Sequence, residues 1–241
     1  MNILDAIADQ RVFGQHFRRP ETWQRWFAFL AALFGLSMTP DQLEIYQLHT
    51  GRNIPPTGPL HEAWLVIGRR GGKSFILAVI AIFLACFKDW RPFLGPGEVG
   101  TVMIVAADRR QARVIMRYCL GLLEAVPMLK QQIEGVTRES IALKNRIVVE
   151  IHTASFRTTR GYSIVAALLD ELAYWPTDES AAAPDVEVIN AIRPGRRRFP
   201  RPCCCVPRRR TAGAVLCGTP IASTMARMAV QFWSGRRPRG T

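Results

Sequence analysis

The fold is decided by the stretch Trp64-Leu65-Val66-Ile67-Gly68-Arg69-Arg70-Gly71-Gly72-Lys73-Ser74. An apolar run ends there in a basic, glycine-rich turn that closes with Lys-Ser, and a long apolar segment follows. A strand, a loop of exposed backbone amides and a helix N-terminus together form a concave anion site, to which a lysine and a hydroxyl add. The stretch therefore predicts a phosphate-binding loop.

The charge of the chain is unevenly distributed. The 241 residues carry a formal net charge of +13, yet residues 196–241 hold eleven of the 32 basic residues and none of the 19 acidic ones. The first 195 residues are therefore close to neutral, at about +2. Their hydrophobic content is enough for a sizeable core. The excess positive charge, which suggests a polyanionic partner, lies in the tail at 196–241.

The cysteines and the apolar runs indicate a reducing compartment and no membrane-spanning segment. Two cysteines, Cys86 and Cys119, lie in helical patterns, and the other four lie in the tail, three of them adjacent. This spacing is not typical of a metal site or a disulfide framework. The polar N-terminus argues against a signal peptide. The longest apolar run, Ser74–Phe87, is too short to span a bilayer.

Hydrophobic periodicity predicts strands that alternate with helices. Helices are predicted at 2–35, 39–49, 73–87, from Asp108 onward, and within 177–190. Strands are predicted at 64–67, 101–107, several times within 135–154, and at 164–169. This alternation predicts an α/β fold, and the phosphate-binding loop places that fold in the P-loop NTPase class. We expect a mainly parallel central sheet, flanked by helices and preceded by a helical N-terminal segment. Ligands of such sheets bind at the carboxyl ends of the strands.

Two carboxylates follow the last of these strands, at the same sheet edge as the glycine-rich loop. In phosphoryl transfer, Lys73 would reach the β- and γ-phosphates of ATP and the Ser74 hydroxyl would bind Mg²⁺. Asp170 would complete the Mg²⁺ shell directly or through water, and Glu171 would orient and deprotonate the attacking water. Either carboxylate could instead be a solvated strand end or a helix cap.

The loop itself departs from the usual phosphate-loop spacing. The first glycine of that spacing falls on Ile67, and Gly68 comes one residue late. Arg69 and Arg70 leave two alternatives open: one guanidinium, with Arg70 the catalytic candidate, stabilises charge on the γ-phosphate, or both are solvated. For Arg160 a surface position is favoured over a nucleotide contact. The predicted cofactor-binding residues are Arg69, Arg70, Gly71, Gly72, Lys73 and Ser74.

Three segments together resemble the ATPase domain of phage terminase large subunits. They are residues 69–74, the strand that leads into Asp170-Glu171-Leu172-Ala173-Tyr174-Trp175, and the approach Thr50-Gly51-Arg52. The likeness covers residues 13–195 and includes the displaced first glycine, which that family tolerates. It implies a motor that translocates double-stranded viral DNA through a portal into a prohead.

The resemblance also implies residue roles and partners. Lys73 and Ser74 match the Walker A positions, Asp170 the Walker B carboxylate and Glu171 the catalytic carboxylate. Two glutamines are weak candidates for the family's adenine-contacting segment: Gln42 and Gln47. The implied partners are double-stranded DNA, a portal protein and a small terminase subunit, with a homo-oligomeric ring as an option and no membrane. The implied location is the bacterial host cytoplasm.

The end of the chain lacks two family features as written, a Ser/Thr-rich coupling motif after an apolar strand and a nuclease domain. From Arg196 onward, Arg, Pro, Cys, Gly and Thr dominate and no periodicity remains. We therefore expect a terminase-type ATPase domain at 1–195, and a tail at 196–241 that is out-of-frame or disordered. A basic arm for DNA is the other interpretation of the tail.

Two further functional hypotheses stand beside the terminase. The first is another P-loop ATPase acting on nucleic acid, such as a helicase-like enzyme, which should show a second motor domain. The second is an inactive prophage remnant without ATPase activity.

Overall fold

The computed structural model describes residues 1–68, 70–153, 161–171, Trp175 and Ile192, and the backbone of strands at 212–216 and 228–232. Its helices are α1 (Ile3–Ala8), α2 (Gln24–Phe34), α3 (Pro40–Thr50), α4 (Lys73–Phe87), α5 (Arg109–Glu124) and α6 (Pro127–Lys130). Its strands are β1 (Glu62–Ile67), β2 (Gly100–Ala106), β3 (Ile133–Val136), β4 (Ser140–Leu143), β5 (Ile147–Thr153), β6 (Ser163–Asp170), β7 (Ala212–Leu216) and β8 (Met228–Phe232).

All these strands belong to one sheet, in the order β3-β4-β5-β2-β6-β7-β1-β8. Strand β2 is parallel to both β5 and β6, and β1 is parallel to β8. Strand β7 is antiparallel to both β6 and β1, so β6 and β1 run in the same direction. Only β4 and β7 are reversed relative to the other described strands. The predicted mainly parallel α/β sheet is thereby confirmed.

The core lies where α4 covers the centre of the sheet. Every residue of β2 is buried, as is all of β6 after its first residue. Helix α4 is buried on all sides from Ile76 to Ala85, and it packs against α5, β2, β5 and β6. A helix that is apolar on every side needs such cover all round. Within the described ranges, none of the helices has the length and apolar character needed to cross a membrane.

The N-terminal segment is helical in pieces, so the prediction of one pattern over residues 2–35 is wrong in its continuity. Helix α1 ends at Ala8, and two short 3₁₀ turns, Gly14–His16 and Pro20–Trp23, precede α2. Gly14 lies so close to the backbone of Asp9 that a side chain would not fit. Pro20 has no backbone N–H to donate, so it suits a first turn and interrupts a longer helix. The helical pieces before α2 are therefore separated by short non-helical segments.

Two of the eight strands come from the tail. Strand β7 lies between β6 and β1, and β8 lies beyond β1. The prediction that residues 196–241 are out-of-frame or disordered is not tested by these two strands. The out-of-frame interpretation concerns the gene, and it stays a prediction. The helix predicted within 177–190 lies outside the described residues.

The end of α2 depends on a glycine. Gly35 adopts the left-handed conformation, with φ of +61°, and a Cβ there would lie 2.2 Å from the carbonyl carbon of Gly58. We expect Gly35→Ala to lower the free energy of unfolding by at least about 2 kcal/mol, because left-handed strain and a backbone clash act together. Urea denaturation followed by circular dichroism measures this change.

Gly121→Ala in α5 is the matched control. No atom lies within 4 Å of the Cβ that it would add. Replacing a glycine inside a helix by alanine is expected to stabilise the fold by about 0.5–1 kcal/mol. Equal effects of the two substitutions would contradict the account of Gly35.

Candidate phosphate-binding site

The site forms at the carboxyl edge of the sheet, where β1 and β6 end. Strand β1 ends at Ile67, a loop follows, and α4 begins at Lys73. Strand β6 ends at Asp170, directly before Glu171. Because the two strands run in the same direction, the loop and both carboxylates meet at one edge, as the alternation of strands and helices predicts.

Left-handed backbone shapes the loop. Arg70 and Gly72 have φ of +61° and +78°, and Gly71 N–H donates to the Gly68 carbonyl at 3.3 Å. Turns of this kind point successive N–H groups into a concave anion site. At position 71 there is no room for a side chain, since a Cβ on Gly71 would lie 2.6 Å from Cγ2 of Ile67. Ile67, which stands in the place of the usual first glycine, therefore packs beneath the loop.

The Lys73 ammonium group forms ion pairs with both carboxylates, Asp170 and Glu171. Lys73 Nζ lies 2.6 Å from Asp170 Oδ1 and 3.5 Å from Glu171 Oε1. The Asp170 side chain is only 6% exposed, whereas that of Glu171 is 28% exposed and lines the cavity above the loop. Asp170 is thus an inner charge behind Lys73, and Glu171 is accessible to water and ligands.

Electrostatics at Asp170 are set by its burial. Burial raises the pKa of the Asp170 carboxyl above its usual value, and the Lys73 ammonium opposes that shift. If Lys73 turned toward a bound anion, Asp170 would remain as a buried carboxylate in need of another cation. Lys73 therefore supplies the positive charge that compensates the buried Asp170 carboxylate.

The backbone is constrained at the residue that directly follows β6. Glu171 has φ of +51°, an uncommon conformation for a residue with a side chain. The buried Trp175 indole N–H donates to the Asp170 carbonyl at 3.0 Å. Strained residues of this kind concentrate at functional sites, where the surrounding structure fixes them.

Two tryptophans of the N-terminal segment hold the loop from its other side. The buried Trp26 indole N–H donates to the Gly71 carbonyl at 2.8 Å. The Trp23 ring lies against Gly72, where a Cβ would come within 2.8 Å of it. Sequence reasoning placed both residues within the helix predicted at 2–35 and missed these contacts. The available signal was the indole N–H, which needs a partner when it is buried.

A cavity of about 760 Å³ lies between the loop and α5. Its volume is in the range of about 300–1,000 Å³ found for small-molecule sites. Among the predicted site residues, those that line it are Arg70, Gly71, Gly72, Lys73, Ser74 and Glu171. The opposite wall consists of residues that sequence reasoning did not assign to the site, Asp108, Gln111, Val114 and Tyr118.

The other candidates lie elsewhere. Gln42 accepts a hydrogen bond from the Thr39 backbone N–H in the cap of α3, and Gln47 donates to the Asn53 carbonyl. Neither glutamine lines the cavity. Arg69 and Arg160 lie outside the described residues. Asp108 caps α5, the helix predicted from Asp108 onward, since its Oδ1 accepts the Gln111 backbone N–H at 2.9 Å.

Comparison with known proteins finds similarity among solved structures. No family model matches the chain, and no curated protein matches it. Among solved structures, the chain is similar to the crystal structure of the HK97 bacteriophage large terminase, with a TM-score of 0.45 and 22% sequence identity. The similarity covers 62% of this chain and 29% of that chain, so this chain spans less than a third of that protein's length.

The indole of Trp26 provides a test of the loop geometry. Trp26→Phe keeps an aromatic ring and removes the donor to Gly71, so the Gly71 carbonyl is no longer held by this hydrogen bond. We expect affinity for inorganic tripolyphosphate to fall by about three- to tenfold, the effect of one lost hydrogen bond. Isothermal titration calorimetry measures this affinity.

Trp64→Phe on β1 is the matched control, because it removes an indole donor bonded to Glu62 Oε1 at 2.9 Å, away from the loop. Its tripolyphosphate affinity should equal that of the wild type. An unchanged affinity in Trp26→Phe would show that the indole does not position the loop.

Proposed function

We propose that the chain is an ATP-hydrolysing motor domain of the phage terminase large-subunit type. It would drive the packaging of double-stranded DNA into a prohead. The observation that carries the ATPase proposal is the cluster of Lys73, Asp170 and Glu171 at the mouth of a left-handed loop. This arrangement supplies an anion site and an accessible base that line one cavity, with a buried carboxylate behind Lys73.

The loop and the first turn of α4 would hold the triphosphate. Backbone N–H groups at a helix N-terminus have no partner within the helix, and they favour negative charge. Lys73 would exchange its contact with Asp170 for oxygens of the β- and γ-phosphates. Arg70 lines the same cavity, so its guanidinium can approach charge that develops on the γ-phosphate.

The residues present fit Mg²⁺. In the parts of the chain that the structure describes, no three His, Cys, Asp or Glu side chains form a ready metal cage. Mg²⁺ does not need one, because it is usually bound by one or two carboxylates together with phosphate oxygens and water. Ser74 and Asp170 would hold it, and the bound ion would neutralise charge on the phosphate oxygens.

Glu171 would act as the general base. Its side chain is partly exposed and faces the cavity, so a water molecule can lie between it and the γ-phosphate. The carboxylate would accept a proton as the water oxygen bonds to phosphorus and the bond to the ADP oxygen breaks. Its contact with Lys73 keeps the carboxylate on the loop side of the cavity.

The partners in this proposal follow from the resemblance of residues 69–74 and 170–175 to terminase large subunits. They are double-stranded DNA, a portal protein and a small terminase subunit, in the cytoplasm of a bacterial host. A homo-oligomeric ring is the assembly that such a motor would form. DNA-stimulated ATP hydrolysis without strand separation would favour this function over that of a helicase-like enzyme.

The decisive variant is Glu171→Gln, because it removes the base and leaves the pair of Lys73 with Asp170 in place. We expect it to bind ATP as the wild type does and to lower kcat by about 10²- to 10⁴-fold. Lys73→Ala should instead weaken ATP binding by at least about 30-fold. Steady-state phosphate release and equilibrium ATP titration measure the two effects, with and without double-stranded DNA.

Glu124→Gln on the exposed end of α5 is the control for a lost carboxylate, and its turnover should match the wild type. Chelation of Mg²⁺ should stop hydrolysis. If Glu171→Gln hydrolyses ATP at the wild-type rate, the assignment of the base is wrong. If the wild-type chain binds no ATP, the ATPase proposal itself fails.

A further inference from the structure

The buried indole of Trp175 has no role in the chemistry described above, although it contacts the peptide group that leads into Glu171. We propose that Trp175 is a positioning residue for Glu171. Its N–H holds the Asp170 carbonyl and thereby keeps Glu171 in the left-handed conformation that directs the carboxylate into the cavity. This inference rests on the proposed function, since it concerns the residue that would act there as the general base.

Trp175 acts from outside the cavity. It is only 6% exposed, and it is not among the described residues that line the cavity, whereas Glu171 is. A nucleotide in the cavity therefore makes no direct contact with the indole. The indole acts instead through the peptide group that joins Asp170 to Glu171, because that is the group to which it donates its hydrogen bond.

The geometry of this peptide group links the indole to the base. The Asp170 carbonyl and the Glu171 nitrogen belong to one rigid plane. The φ angle of Glu171 is the rotation about the bond from that nitrogen to Cα, so it changes when the plane turns. The indole N–H donates to the oxygen of this plane at 3.0 Å and resists its rotation. Holding the carbonyl therefore holds one side of the torsion that decides where the Glu171 side chain points.

The conformation of Glu171 needs such support. Strand β6 ends at Asp170, and the pairing of Asp170 with Gly213 is the last one between β6 and β7. Glu171, one residue further on, has φ of +51°, which a residue with a Cβ adopts only at a cost in free energy. One hydrogen bond shifts an equilibrium by about three- to tenfold, which is of the same order as this cost. The indole bond is therefore strong enough to decide which conformation is populated.

A second contact holds Glu171, and the proposed chemistry gives that contact up. Lys73 Nζ lies 3.5 Å from Glu171 Oε1, but in the proposed function Lys73 turns toward the β- and γ-phosphates. The indole bond is made to the backbone, so it does not compete with phosphate. Trp175 is thus the contact that remains when ATP is bound, which is when the Glu171 carboxylate has to accept a proton from water.

The experiment separates the hydrogen bond from the packing of the indole, using the full chain. Trp175→Phe keeps an aromatic ring and removes the donor. We expect it to lower kcat about tenfold at an unchanged Kd for ATP, since a displacement of about 1 Å at a reacting group can cost about 100-fold. Steady-state phosphate release and equilibrium ATP titration measure the two quantities.

Trp175→His is the conservative variant that restores the donor. It loses the six-membered ring but keeps an N–H, because Nε2 of a flipped imidazole can take the place of the indole nitrogen. Its kcat should stay within about threefold of the wild type, although the lost ring destabilises the fold more than Trp175→Phe does. Urea denaturation measures the stabilities. Opposite orders of stability and kcat in the two variants would separate positioning from a merely structural role.

Trp90→Phe is the matched control. The Trp90 indole is also buried, and its N–H also donates to a backbone carbonyl, that of Leu84, at 2.8 Å. Leu84 lies near the end of α4, and Lys73 begins that helix, so this bond is away from the site. Trp90→Phe should lose as much stability as Trp175→Phe and keep the kcat of the wild type.

A double variant and a structure complete the test. Adding Trp175→Phe to Glu171→Gln should lower kcat by less than about twofold, because no base is left to position. A crystal structure of Trp175→Phe should show that Glu171 has left its φ of +51°.

Wild-type kcat in Trp175→Phe would overturn the inference, and so would an equal loss of kcat on the wild-type and Glu171→Gln backgrounds. A wild-type chain that does not hydrolyse ATP would overturn the proposed function and this inference with it. If Trp175→Phe fails to fold, replacement of Trp175 by 3-benzothienylalanine decides by the same kcat, because that side chain keeps both rings and has sulfur in place of the N–H.

Discussion

The ion pair between Lys73 and Asp170 is the contact on which the rest of the structure depends. Its Nζ–Oδ1 distance is 2.6 Å, and it joins the first residue of α4 to the last residue of β6. A buried carboxylate destabilises a fold unless a positive charge compensates it, and burial raises the pKa of Asp170 accordingly. The pair can form only if β1 and β6 end at one edge of the sheet and the loop turns tightly enough to bring α4 back over β6.

The same pair links the architecture to the proposed chemistry. Lys73 has a single ammonium group, so a bound phosphate must compete with Asp170 for it. The competition leaves a buried carboxylate beside the ligand, which is the kind of group that holds a divalent cation. Trp23 and Trp26 keep the loop in place from α2 and the turn before it. These two contacts fix the backbone of the loop, and in the proposed chemistry the charge that would move is on the flexible Lys73 side chain.

Local signals in the sequence were enough for the elements and for part of the site. Each of three features can be predicted from a few neighbouring residues, and the structure has all three. They are the strand and turn before Lys73, the start of a helix at Asp108, and the two carboxylates at the end of β6. The break at Pro20 was missed because apolar spacing alone runs on through it. The contact of Trp26 with Gly71 depends on packing between distant segments, which periodicity does not encode. Strand β7 was missed because its segment has no alternation.

The most direct measurement is a crystal structure of the chain with Mg²⁺ and a non-hydrolysable ATP analogue. The account predicts that Lys73 Nζ lies on a phosphate oxygen and more than about 4 Å from Asp170 Oδ1, the limit for an ion pair. It also predicts that Asp170 and Ser74 lie at the metal and that Glu171 faces the γ-phosphate. A structure in which Lys73 remains 2.6 Å from Asp170 while the phosphates bind elsewhere would contradict the account.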